Sequence, residues 1–89
     1  MNRYDSEGKF LMLNLMSERK SKGLSQAELG KLIGTNNIQV SRVETGLQFP
    51  LSTTLFKMAK VLDVSMDYLM EGYDPSKHDG NDDNDIGGV

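Results

Sequence analysis

Apolar positions along the chain recur at three- and four-residue spacing, and polar or glycine breaks divide them into short runs. Leu29, Leu32 and Ile33 share one face of one such run, and Val40 and Val43 one face of the next. Leu55, Met58, Ala59 and Leu62 do the same in a longer one. Gly23, Gly34, Gly46 and Gly72 follow these runs at places where helices commonly stop. The pattern predicts five short helices in the first 72 residues. The first spans Ser6 to Lys22, with Glu7 in its first turn and Lys20 and Lys22 in its last, as the helix dipole favours. Ser25-Gln-Ala-Glu28 is a capping box that opens a second, Gln26 to Ile33. Asn36-Asn-Ile-Gln39 is a weaker box of the same kind and opens a third, Asn37 to Thr45. Ser52 caps a fourth helix running to Leu62, and Ser65 caps a fifth, Met66 to Glu71. No stretch alternates with period two for long enough to predict a strand, so the chain reads as all-α.

Composition narrows this picture. The 89 residues leave room for one small domain, and their charge is unevenly placed. Ten Lys and Arg stand against 13 Asp and Glu, a net of −3 that by itself disfavours nucleic acid as a partner. Residues 1–70, however, hold nine basic and seven acidic residues, while residues 71–89 hold one lysine and six acids. The first part is therefore +2 and the last −5. With only Tyr73, Ile86 and Val89 to bury, the end of the chain is expected to be a disordered acidic tail. The expected division is a lead-in at 1–8, a folded domain at 9–72 with two closely joined helices at about 26–45, and a tail at 73–89.

Several function classes fall away. No cysteine is present, which excludes a disulfide framework or a thiolate zinc site. The longest unbroken apolar run, Phe10 to Leu13, is far short of the ~20 residues that span a bilayer. The N-terminus leads into no secretory apolar segment, so a cytoplasmic protein without a membrane partner is expected. His78 has no partner for a catalytic triad or a metal site, and enzymatic function has no candidate residues. Asp79 to Asp85 has neither the glycine nor the glutamate of a calcium loop in place, so no metal or other cofactor is expected.

The chemistry concentrates between Leu24 and Gly46. Two helices joined by Gly34-Thr35-Asn36 can cross steeply, and Gly30 supplies the small residue that a close crossing needs. Val40 and Val43 anchor the third helix from beneath and leave Asn37, Ile38, Ser41, Arg42 and Thr45 outside. Such a face suits base reading. Arg42 can donate a bidentate pair to guanine, Asn37 or Gln39 can bridge the adenine edge, and Ile38 can touch a thymine methyl. Gln26, at the start of the second helix, lies where free backbone N–H groups meet a phosphate. Taken singly, each of these residues is an ordinary solvated one. The combination of small residue, turn glycine and two inward valines carries the reading.

This block resembles the helix-turn-helix DNA-binding family of the phage Cro and CI repressors, the XRE-type regulators, over roughly Leu15 to Met70. The resemblance rests on Leu24-Ser-Gln-Ala-Glu-Leu29, Val40-Ser-Arg-Val-Glu-Thr-Gly46 and Ala59-Lys-Val-Leu-Asp-Val-Ser65. It implies a compact five-helix, lambda-repressor-like domain with base contacts from the positions of Asn37, Ile38 and Arg42, to which the reading above adds Gln39. It also implies phosphate contacts at Gln26 and the start of the third helix and a structural ion pair between Arg19 and Glu44; Asn36, Ser41 and Thr45 are the accompanying phosphate candidates. Two features depart from the pattern. Glu18 stands where the family usually has an apolar residue, and Leu51 and Ser52 are exchanged, so the start of the fourth helix is expected to shift.

Two surfaces are candidates for self-association. The first helix is apolar around most of its circumference (Phe10, Leu11, Met12, Leu13, Leu15, Met16), which extra core contact explains equally well. Met66, Tyr68, Met70 and Tyr73 form the second, favoured because the family often pairs through its last helices. The expected function is a homodimeric, sequence-specific transcription regulator, a repressor of a palindromic double-stranded operator. The alternative is an antitoxin that binds a toxin protein and represses its own operon; a scaffold that kept the fold without DNA binding is a third reading. A protein partner such as a toxin or anti-repressor fits either regulator, and no small-molecule ligand is expected.

Overall fold

The computed structural model describes residues 3–74; His78 and the Asp79 to Asp85 segment lie outside them. The described residues form five helices: α1 (Leu13–Ser21), α2 (Gln26–Leu32), α3 (Asn37–Glu44), α4 (Ser52–Leu62) and α5 (Met66–Leu69). None is long and apolar enough to cross a membrane.

Local chemistry sets most of the boundaries. Ser25 Oγ accepts from the Glu28 N–H at 3.0 Å, and Glu28 Oε1 accepts from the Ser25 N–H at 2.8 Å. The Ser25 backbone and hydroxyl thereby hold the Glu28 carboxyl below its usual range. Asn36 Oδ1 accepts from the Gln39 N–H, and Ser65 Oγ from the Tyr68 N–H, both at 3.0 Å. The four expected glycine stops all take positive φ. α4 departs from expectation at its start. Leu51 is its N-cap without a side-chain cap bond, and Ser52, expected as the cap, is the first helical residue.

The first helix is shorter than the sequence predicts: it begins at Leu13, not at Ser6, so Glu7 lies outside it. Asp5 is the reason. Its Oδ1 accepts from the N–H groups of Glu7 and Lys9, at 2.8 and 2.9 Å, a side-chain turn that competes with helix formation. Those donors, Lys9 foremost, hold the Asp5 carboxyl below its ordinary value. Gly8 N then donates to Asp5 O, and an isolated antiparallel bridge joins Tyr4 to Phe10. From there the chain crosses the end of α3, where Met12 N donates to Glu44 O at 3.1 Å.

One core runs through all the elements. Met12, Leu15, Leu29, Val40, Met58, Leu62 and Leu69 are each under 2 % exposed. Leu32 was expected on the inner face of α2 and is 57 % exposed instead. The buried face of α2 passes through Leu29, Gly30 and Ile33, and Leu32 lies about 100° from Ile33, beyond its edge. The apolar wrap of Phe10 to Met16 resolves similarly. Phe10, Met12 and Leu15 enter the core, and Leu11, Leu13 and Met16 are half-buried.

An aromatic chain ties the two ends of the described region together. Tyr4 and Phe10 have ring centroids 5.3 Å apart, Phe10 and Tyr73 5.4 Å, and Tyr73 and Phe49 5.1 Å. The Asp74 N–H donates to the Tyr4 hydroxyl at 2.7 Å. Tyr4 and Tyr73, which composition places outside the 9–72 domain, thus pack on its Phe10, and Asp74 bonds to Tyr4.

Candidate nucleic-acid interface

The α2–α3 pair forms because its crossing point is glycine. A Cβ on Gly30 would stand 2.7 Å from the Asn36 carbonyl carbon, and Gly30 O accepts from the Thr35 N–H at 2.7 Å. No side chain fits there. Gly34 turns the chain with φ +83°, a conformation costly for any residue with a Cβ. α3 is then seated by Val40 and Val43, 0 % and 4 % exposed.

With that face inside, the opposite one is fixed. Asn37, Ile38, Ser41, Arg42 and Thr45 fall within an arc of about 140° at 100° per residue. Asn37, Ile38 and Arg42 are exposed, Ile38 by 56 %, and their side chains hold no hydrogen bond or ion pair among the described residues. Ser41 is half-buried, and Thr45 Oγ1 donates to Ser41 O at 2.8 Å. Gln39 is set apart from this group. It lies about 60° past Arg42 around the helix and is half-buried in the wall of a cleft shared with α4. Asn36, the cap of α3, is exposed, with Oδ1 taken by Gln39 N and its amide nitrogen outside that bond.

Behind α3 sits a buried charge network. Arg19 is 7 % and Glu44 1 % exposed. Arg19 Nε donates to Glu44 Oε2 at 2.6 Å, its NH2 to Oε1 at 3.3 Å and its NH1 to Leu24 O at 2.7 Å. Gln26 Nε2 also donates to Glu44 Oε1, at 3.0 Å. The side-chain N–H of Gln26 is therefore turned inward, and what it offers outward is the backbone N–H of the first turn of α2. The network locks three elements, α1, α2 and α3, into one orientation.

The sequence reading missed Asn14. This residue, 9 % exposed, accepts from Arg3 NH1 at 3.0 Å and donates to Tyr68 O and Glu71 Oε1 at 2.7 and 3.0 Å. Its signal was present: one amide inside the apolar run Phe10 to Met16. Glu18, unusual for the resembling family, accepts from Lys22 Nζ and from the Tyr68 hydroxyl, each at 3.3 Å. Partial burial, then the Glu18 carboxylate, raises the Tyr68 phenol above its ordinary value. Of the candidate dimer residues, Met66, Met70 and Tyr73 pack against their own core, and Tyr68 is 37 % exposed.

Comparison with known proteins agrees with this arrangement. The Helix-turn-helix family profile matches residues 15–69. Repressor protein C2 of Salmonella phage P22 is 34 % identical over 58 residues, which make up 65 % of this chain and 27 % of that protein. An uncharacterized HTH-type transcriptional regulator of Bacillus subtilis (strain 168), YqaE, is 36 % identical over 59 residues, 66 % of this chain and 51 % of that protein. The chain thus spans between a quarter and about half of the length of these relatives. In three dimensions it is similar to the P22 c2 repressor in a crystal structure with synthetic operator 9T in the presence of Tl+. The TM-score is 0.66 at 34 % identity, covering 71 % of this chain and 97 % of that one. Family profile, relatives and five-helix geometry coincide on the same residues, and the chain belongs to the helix-turn-helix family.

Proposed function

We propose that the protein is a sequence-specific DNA-binding transcription regulator that represses by occupying its operator. The observation that carries this reading is the outer face of α3. Its Asn37, Ile38 and Arg42 side chains are exposed and uncommitted on a helix held rigidly from behind. The N-terminal part of α3 enters the major groove, with Arg42 toward guanine, Asn37 toward adenine and Ile38 toward a thymine methyl. Gln39 contributes from the edge of that face. Phosphates are met by the backbone N–H of Gln26, by the Asn36 amide, and by Ser41 and Thr45. The similarity to a repressor solved with operator DNA supports the assignment.

The protein acts as a homodimer, with Tyr68 and its neighbours Met66, Met70 and Tyr73 at the two-fold contact and recognition helices about 34 Å apart. Selection from a random duplex library tests this. It should return a pseudo-palindrome, and Arg42→Ala should lower affinity by ~1–3 kcal/mol and relax preference at one base position per half-site. An unchanged motif at unchanged affinity would remove Arg42 from the base-reading set.

A further inference from the structure

On the outer side of α4, Thr53, Phe56, Lys57 and Lys60 fall within an arc of about 100° at 100° per residue, and all four are exposed. Phe56 keeps 53 % of its surface in water, and Lys60 Nζ stands 5.8 Å from the centre of its ring. Neither lysine has a carboxylate partner among the described residues. No acid occurs between Ser52 and Leu62, and Asp63, the C-cap, stands at the far end of the helix. Lys20, Lys31 and Arg42 are also exposed and without an ion pair among the described residues, but each is the one such cation on its helix. Among the described helices, α4 alone sets two of them beside a large exposed ring.

Two positive charges around an uncovered apolar ring fit a partner that is acidic and carries an apolar residue next to its acids. The chain itself supplies one. Asp79-Gly-Asn-Asp-Asp-Asn-Asp85 is followed directly by Ile86, and residues 75–89 hold four acids against the single Lys77. The described chain also ends beside the start of α4: the Tyr73 ring lies 5.1 Å from that of Phe49, which comes shortly before Ser52. The stretch from Asp74 to Ile86 can span about 40 Å, whereas a helix of the length of α4 measures about 16 Å. Exposed ion pairs are each worth little. A tether of this length keeps its acids at a high effective concentration, so several weak contacts act together. We propose that the outer face of α4 is the docking site of this chain's own residues 79–86, with the aspartates on Lys57 and Lys60 and Ile86 against Phe56. The contact forms within one chain and is independent of the DNA-binding reading above.

The chain has no cysteine, so Gly88→Cys accepts a single nitroxide label on the full-length protein. In about 0.01 M salt, where charges act over about 30 Å, the label should broaden the amide NMR signals of Thr53, Phe56, Lys57 and Lys60 more than those of Lys20, Lys31 and Arg42. In about 1 M salt, where that range falls to about 3 Å, the difference should fade. The double change Lys57→Gln with Lys60→Gln should abolish it. Asp79→Asn, Asp82→Asn, Asp83→Asn and Asp85→Asn together should do the same without touching the helices. Even broadening over all the exposed cations, or α4 broadening that survives either set of changes, would overturn the docking. A mixture of nitroxide-bearing chains with isotopically labelled chains that lack the nitroxide gives the last check. Broadening as strong in that mixture would also overturn the proposal, by assigning the face to the segment of a second copy.

Discussion

Glu44 is a carboxylate at 1 % exposure, and a charge so placed persists only when its partners replace the water it has lost. Arg19 and Gln26 do so from two other helices, while the Glu44 backbone oxygen takes the Met12 N–H. Arg19→Met should therefore cost about 3–5 kcal/mol, since it strands Glu44 without its cation. Urea unfolding measures this, and pairing the change with Glu44→Leu should recover much of the loss. A deficit under about 1 kcal/mol would mean that water reaches the site.

Glu28 makes a pH-dependent contribution of known sign. Its carboxyl titrates lower in the folded chain, because Ser25 donates to it. The capping box therefore stabilises α2 in full above the ordinary carboxylate value of about 4.3, and that stabilisation is lost as pH falls through the lowered one. The stability difference between wild type and Glu28→Gln should be constant from pH 7 to about 5 and shrink below about 4. A difference that persists unchanged at the acid end would remove Glu28 from the cap. At this scale the sequence shows which donors and acceptors exist but not where they point. The 19–44 pair came from family resemblance, while the inward turn of Gln26 and the hub at Asn14 depend on neighbours distant in the chain.

The elements were legible wherever local chemistry decides them. Ser25, Asn36 and Ser65 cap from within three residues, and the glycines end helices through their own φ, so α2, α3 and α5 start where the sequence places them. The misplaced start of α1 has a local cause that a periodicity reading overrides: Asp5 bonds its own backbone before the apolar run begins. α4 ends on Asp63, a non-glycine residue at φ 58°, a type that tolerates the left-handed region but signals a helix end less clearly than glycine. Gly30 is the element-scale test. Alanine there would gain up to about 1 kcal/mol of helix propensity, but its Cβ would meet the Asn36 backbone at 2.7 Å. Gly30→Ala should thus be destabilising by about 1–3 kcal/mol in a thermal melt and should weaken operator binding by shifting α3. A rise in melting temperature would show that the crossing relaxes without strain.

Across the whole molecule, the five-helix plan and its core were readable from apolar periodicity. Composition places the domain at 9–72, and the contacts that tie the ends of the described chain together come from single aromatic rings at Tyr4 and Tyr73. A chain stopped after Gly72 should lose about 1 kcal/mol for want of the half-buried Tyr73 ring. One stopped after Asp74 should unfold like the full protein and, having shed a segment of net charge −3, bind DNA at least as tightly. Equal stability of the two truncations would show the aromatic chain to be dispensable. The hydrogen bond from Asp74 to Tyr4 has one more consequence. The ends of the described chain are neighbours, so a linker of about five residues can join them. Gly23, with open space around it, offers a new opening. Such a circular permutant should unfold cooperatively and select the same operator, which would separate the order in which the helices are threaded from the arrangement that reads DNA.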